Sequence, residues 1–233
     1  MTQGPDDEEA PRRRPRSPIP LTALPRLPAP LADLLLVASN ASTSARDLRE
    51  AVEVVPSFAA AVVRALASGV DPARAATLDE ALRRVGTRGV RGVVSALALA
   101  PLFEPTPGAR VDARQVADHG VACALWVTEV AEALGRQPSV HLLTAALMHD
   151  VGMVLFDRFA GAAFEAARER AVRDGRHHVE VEPDEVGMTH ARAGALLCAR
   201  WALPPEVTSL VAGHHGADGG VDAALLAVGD HLA

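Results

Sequence analysis

Seven imidazole and carboxylate residues, His119, His149, Asp150, His190, His214, His215 and Asp230, are spread through a stretch that otherwise reads as apolar helices. Two pairs are adjacent, His149-Asp150 and His214-His215. These residue types hold divalent transition metals. The order H…HD…H…HH…D is hard to assemble by accident. A fold that uses it must aim polar groups from several helices at one central point, as helix-bundle metal sites do.

The rest of the chain supplies those helices. Its apolar residues are mostly Ala, Leu and Val, with five Phe, two Trp and no Tyr. Ala and Leu in such quantity favour helix. Ser44 with Asp47 three residues on predicts a helix running to about Val54, and Pro56 suits the first turn of the next, ending near Gly69. Thr77 with Glu80 opens a short helix that stops near Gly86. Residues 88–102 form a buried helix carrying Val90, Val93, Val94, Leu97 and Leu99, with Arg84, Arg88 and Arg91 expected on one solvated stripe. Residues 104–108, with Pro105 and Pro107, are the best internal boundary. A long helix follows over about 110–135, then one ending in His149-Asp150. Another spans about 157–173, then come a polar loop over 174–184 and three further helices. Only Val179-Glu180-Val181, in that loop, alternates like a strand. The fold class is all-α in two lobes: a disordered tail at 1–20, an N-terminal helical lobe at 21–104, and a C-terminal lobe at 105–233 that carries the His/Asp cluster.

Charge and composition exclude several partners. The net charge is −6, and the tail mixes Asp6, Asp7, Glu8 and Glu9 with Arg12, Arg13, Arg14 and Arg16, so its field largely cancels. Binding to nucleic acid through charge is not expected. Cys123 and Cys198 lie in no C-x-x-C motif and read as buried small hydrophobes in a reducing compartment. No uninterrupted apolar run reaches the roughly 18 residues of a membrane span, and residues 1–9 lack a signal peptide's apolar core. The expectation is a cytoplasmic protein without a membrane partner.

Each candidate ligand has a local rationale. Residues 142–148 are nearly all apolar, so His149 and Asp150 stand at the end of a core helix. Their side chains diverge by about 100°, yet both can reach an ion beyond that end. Gly152 is expected to let the chain turn close by. His190 opens a helix rich in small residues (Ala191, Ala193, Gly194, Ala195). Glycines flank His214-His215, Asp230 lies on the last helix, and His119 sits on the long one. Carboxylates with neutral imidazoles suit one or two ions of Fe, Mn, Zn or Ni better than Ca. His177 and His178 are expected in solvent. His141 and His231 neighbour the constellation in sequence only, with His231 turned away from Asp230.

These residues resemble the HDOD domain (HD-related output domain), a signalling branch of the HD phosphohydrolase superfamily. The resemblance covers about residues 20–233. It rests on Leu24-Pro25-Arg-Leu27-Pro28, Asp47-Leu48, Pro56-Ser-Phe58 leading to Arg64 and Ser68, Thr77-Leu78 and Ala81-Leu-Arg-Arg-Val85-Gly86. In the second half it rests on Ala145-Ala-Leu-Met-His149-Asp150-Val-Gly152, His190 with Gly194, Trp201-Ala-Leu-Pro204 and His214-His215. It implies a two-lobed, all-helical bacterial signal-transduction module acting mainly through contact with another signalling protein. Members of the family often lack parts of the metal site, whereas this chain keeps the whole set.

Other departures weigh against catalysis. Met153 stands where the HD phosphodiesterases that open cyclic di-GMP carry Lys, and no Gly-Tyr-Pro follows the double His. In the first lobe, Val55-Pro56 replaces Asp-Pro, and Ala67 replaces the Asn before Ser68. The alternative is a metal-dependent phosphohydrolase acting on a nucleotide or other phosphoester through a metal-activated water, with Asp150 its candidate catalytic residue. Such a site needs cationic groups to hold phosphate, and they are thin here. The sequence favours the non-catalytic module.

Overall fold

The computed structural model describes residues 19–67, 77–104, 107–216 and 219–233. The disorder expected for the tail and the helix end expected near Gly69 fall outside them, except that Ile19, within the expected tail, is buried. The described residues contain helices and no strand. The helices are α1 (Ala29–Ser39), α2 (Ala45–Glu53), α3 (Pro56–Ala67), α4 (Leu78–Leu99), α5 (Ala113–Ala133), α6 (Val140–Met148), α7 (Val151–Asp174), α8 (His178–Glu185), α9 (His190–Arg200), α10 (Pro205–Gly213) and α11 (Gly220–Leu232). A 3₁₀ turn, Ala100–Phe103, follows α4.

Side-chain caps fix many of the starts. Ser44 Oγ accepts from the Asp47 N–H and Asp47 Oδ2 accepts from the Ser44 N–H, both at 3.1 Å, completing the expected box. Thr77, Asp112, Ser139 and Thr189 cap α4, α5, α6 and α9, each side-chain oxygen accepting from a backbone N–H of the first turn. Each such cap is worth about 1 kcal/mol. The break expected at Gly86 takes the form of a kink: Gly86 adopts φ 68° and helix resumes beyond it. Only a residue without Cβ adopts that conformation without strain.

Three expectations need correction. Arg91 is buried, not solvated; its guanidinium donates to the carbonyls of Asn40 and Thr43 and so anchors the α1–α2 loop to α4. The helix expected from 157 begins at Val151, directly after Asp150, and bends at Ala160. The loop expected over 174–184 contains α8, whose Val181 and Glu182 are buried. The apparent strand alternation there belongs to a helix.

Helices α1–α4 pack around Leu34, Leu48, Val52, Val62, Val90 and Val94, and α5–α11 around Val127, Leu142, Phe156, Phe164, Leu197 and Leu226. The two groups meet where α1 and α4 lean on α6 and the 3₁₀ turn on α5. A polar tie crosses between them: the Trp201 indole N–H donates to the Pro25 carbonyl at 2.8 Å. Both cysteines are buried and free, as expected. By length and composition, Val140–Asp174 could cross a membrane, but 61 % of its most apolar window is buried within the fold, as in a core element.

Glycines set the distances between the helices that carry the His/Asp cluster. A Cβ on Gly120, beside His119, would lie 2.9 Å from the Leu147 carbonyl oxygen of α6. One on Gly229, beside Asp230, would lie 2.6 Å from Val127 Cγ2 and 3.0 Å from the Cys123 oxygen of α5. One on Gly152 would lie 1.9 Å from the His190 carbonyl oxygen. Gly152 therefore serves close approach between α7 and α9, not a turn. We expect Gly152→Ala to separate these helices and cost about 3 kcal/mol or more, since a backbone carbonyl cannot yield as a side chain does. A thermal melt within a degree of wild type would contradict this.

Candidate metal centre

The site lies where α5, α9, α11 and the α6–α7 and α10–α11 junctions converge. His149 and Asp150 occupy the turn between α6 and α7, and His190 is the first residue of α9. His214 and His215 follow α10, His119 projects from α5, and Asp230 from α11. All seven side chains come together, in two sets that share one residue. His119, His149, Asp150 and Asp230 offer ligand atoms within 4.8 Å of one another, and so do Asp150, His190, His214 and His215.

The two Asp150 oxygens face different sets. Oδ2 lies 3.5 Å from His149 Nε2 and 3.7 Å from His119 Nε2. Oδ1 lies 3.2 Å from His190 Nε2 and 3.5 Å from His214 Nε2. Asp230 Oδ1 closes the first set at 3.0 Å from His119 Nε2 and 3.2 Å from His149 Nε2. The second is tightest between nitrogens: His190 Nε2 lies 2.9 Å from His215 Nε2 and 3.3 Å from His214 Nε2.

The outer partners settle which nitrogens are free. His149 Nδ1 donates to the Ala146 carbonyl and His214 Nδ1 to the Val211 carbonyl, each at 2.8 Å and three residues back. His190 Nδ1 donates to the Glu182 carboxylate at 2.8 Å, and that carboxylate also accepts from the His190 backbone N–H. Anchoring Nδ1–H turns each Nε2 lone pair inward, the tautomer a metal ligand needs. His149 Nε2 is buried and makes no hydrogen bond, although Asp230 Oδ1 stands close to it. With each Nδ1 proton committed outward, the inward nitrogens meet the carboxylate oxygens only through a second ring proton or a cation. The donor set is compatible with a divalent ion on these grounds.

Electrostatics agree. Burial acts to raise the Asp150 carboxyl, but the His190 and His214 imidazoles against its oxygens, with His149 nearby, hold it well below the usual range. Asp230 is lowered likewise, through His119 and His149. Burial depresses the His190 imidazole, yet Asp150 and Glu182 outweigh it and raise it to about 9. His215 is pushed down to about 4, by burial first and then by His214 and His190.

Glu182 was missed in the sequence. It is 0 % exposed and orients His190. Its one signal, a Glu eight residues before His190, was masked by Pro183 and by the alternation of Val179 and Val181. His177 is exposed as expected. His178 is not free in solvent: its ring lies 5.2 Å from that of His190, and its Nε2 is buried. His231 stands on the rim of the cleft over the site, nearer than expected. Arg192 is exposed on α9 and does not line that cleft.

Fold and site together define an all-helical domain of the HD type. The chain matches the HDOD domain over residues 24–217 and belongs to that family. Its structure superposes on a candidate phosphohydrolase of Shewanella amazonensis (TM-score 0.75, 26 % identity, 91 % of this chain and 77 % of that one). It also superposes on a candidate signal transduction protein of Marinobacter aquaeolei (0.71, 26 %, 90 % and 48 %). An HDOD domain protein with unknown function from Geobacter sulfurreducens shares the fold (0.74, 21 %, 89 % and 72 %). An uncharacterised protein of Treponema pallidum is 25 % identical over 201 residues, and the match spans 82 % of this chain but only 37 % of that protein.

The His190 shift gives a signed expectation. In the metal-free protein at pH 7 His190 carries both ring protons, and its Nε2 proton must leave when a cation takes the lone pair. Uptake of Mn²⁺ should release at least one proton at pH 7, and affinity should rise with pH until about 9. Without metal, the His190 contribution to stability is complete below its ordinary value of 6.5 and is lost as pH rises through about 9. Calorimetry in buffers of different ionisation enthalpy checks the first claim, and no proton release at pH 7 would contradict it.

Proposed function

We propose that this chain is a bacterial signalling module whose C-terminal lobe holds two divalent transition ions and whose output is contact with another protein. The ions would be Fe, Mn, Zn or Ni. The observation that carries this reading is the division of the Asp150 oxygens between two ligand sets. With one oxygen toward each set, Asp150 would serve both ions, and the remaining ligands fall three to each side. His119, His149 and Asp230 would hold one ion; His190, His214 and His215 the other. Glu182 and the Ala146 and Val211 carbonyls orient three of the imidazoles. We place the lobe division at residues 104–105 and the module in the cytoplasm.

The surface favours protein contact as the output. Two adjoining clefts of about 600 and 650 Å³ run along α4 and α5, lined by Gly92, Val93, Ala96, Val121, Leu125 and Leu147. Leu125 is 63 % exposed there. Apolar surface of this kind marks interaction sites.

A second reading is a phosphohydrolase, and one observation favours it. The two sets open onto a cleft of about 790 Å³, whereas a purely structural metal site is closed. A divalent ion there would lower the pKa of a bound water and polarise a phosphoester. Against it, the lining offers Met153 and no Lys or Arg to clamp a phosphate chain.

Both readings expect about two ions per chain, and a loss of metal in Asp150→Ala. The module reading expects wild type with Mn²⁺ or Fe²⁺ not to turn over bis-p-nitrophenyl phosphate, nucleotides or cyclic dinucleotides. It also expects a partner recovered by pull-down to remain bound in Asp150→Ala. Turnover abolished by Asp150→Ala would make the protein an enzyme.

A further inference from the structure

Along the two clefts between α4 and α5, the surface of α5 has an order of its own. Arg114, Asp118, Val121, Leu125, Thr128 and Glu132 line those clefts. They recur at alternating intervals of four and three residues. At about 100° per residue the six fall within about 80° of one another, on one face. Such a stripe is the seam that a helix presents to a partner helix. Its two apolar members are exposed, Val121 at 43 % and Leu125 at 63 %. The core-facing residues of α5, among them Cys123, Val127 and Ala131, lie on another side of the helix and are buried.

The stripe is complementary to itself when reversed. Turned end for end about the level of Cys123, Val121 takes the place of Leu125, Asp118 that of Thr128, and Arg114 that of Glu132. An antiparallel copy of α5 laid on this face therefore sets apolar against apolar at the centre and Arg against Glu at both ends. A parallel copy would set each charge against its own kind. Neither Arg114 nor Glu132 has an ion-pair partner among the described residues. Across the cleft, Gly92 lies inside α4, where glycine weakens a helix relative to alanine. A Cβ on Gly92 would meet nothing within 4 Å, so packing within the chain does not call for a glycine there. Gly92 and Ala96 line the cleft and leave room for a further helix to approach α4 closely.

We propose that the α4–α5 face is the interface of a two-fold symmetric dimer, in which α5 of a second copy lies antiparallel to α5 and enters the cleft beside Gly92. This rests on the reading of these clefts as a contact surface and gives them one occupant. A two-fold interface uses the same patch on both subunits, so one surface must carry both halves of every pairing. The α5 stripe does so: it supplies two Arg114–Glu132 pairs per dimer, around a centre of Val121 and Leu125 from each copy.

The test is sedimentation velocity of the full chain, with circular dichroism to show that each variant is folded. Wild type should sediment as a dimer at about 100 µM and dissociate on dilution. Arg114→Glu and Glu132→Arg each set like charges together at both ends of the dimer and should weaken it about tenfold or more. An equimolar mixture of these two variants should regain the dimer, because position 114 of each copy then opposes the opposite charge at position 132 of the other. Gly92→Leu should be folded and monomeric. A wild type that stays monomeric at about 100 µM overturns the proposal. If Gly92→Leu then also loses a partner recovered by pull-down, the groove takes a different protein and the contact reading stands; if no partner is recovered either, that reading falls too. A dimer that survives Gly92→Leu and both single charge reversals uses another face and overturns the proposal. So does a mixture of the two charge variants that dimerises no better than either alone.

Discussion

Around Asp150, electron-pair donors crowd against one another with too few hydrogens between them. His190 Nε2 has Asp150 Oδ1, His214 Nε2 and His215 Nε2 all within 3.3 Å, and one proton cannot serve all three. His149 Nε2 faces two carboxylates without a hydrogen bond. Buried groups in this state need protons or a metal cation, and against its burial the His190 imidazole is held above its ordinary value by Asp150 and Glu182. Much else in the C-terminal lobe follows from holding this cluster at such short range.

The scaffold does so by removing side chains where helices cross. Gly120, Gly152 and Gly229 each lie within two residues of a cluster member; a Cβ on either of the first two would meet a backbone carbonyl of the neighbouring helix too closely, and one on Gly229 would collide with Val127 Cγ2. Helices α5, α6, α7, α9 and α11 are thereby drawn together beside the residues that need to meet. Helices α1–α4 and the segment before them add the Trp201–Pro25 bond and the apolar faces of α1 and α4 against α6, and among the described residues none of them joins the cluster.

Several features were legible in the sequence for identifiable reasons. His149-Asp150 and His214-His215 stand out because each breaks an apolar helix with adjacent polar groups, and helix ends are where such groups converge. Capping residues such as Ser44 and Thr77 are local signals and mark the starts directly. Long-range pairings were less legible. Arg91 shares a spacing with exposed arginines, and only the fold reveals the α1–α2 loop carbonyls that it serves. Glu182 and His178 were hidden because Pro183 and two alternating valines disguise a short helix. The role of Gly152 is likewise a matter of what lies opposite it, and sequence does not carry that.

The most direct test of the account is anomalous diffraction at the metal edge from crystals grown with Mn²⁺ or Fe²⁺. The expected result is two peaks on opposite sides of the Asp150 carboxylate, one about 2 Å from His149 Nε2 and the other about 2 Å from His190 Nε2. A single peak, or peaks that leave Asp150 bound to one ion alone, would contradict the shared-carboxylate centre on which the account depends.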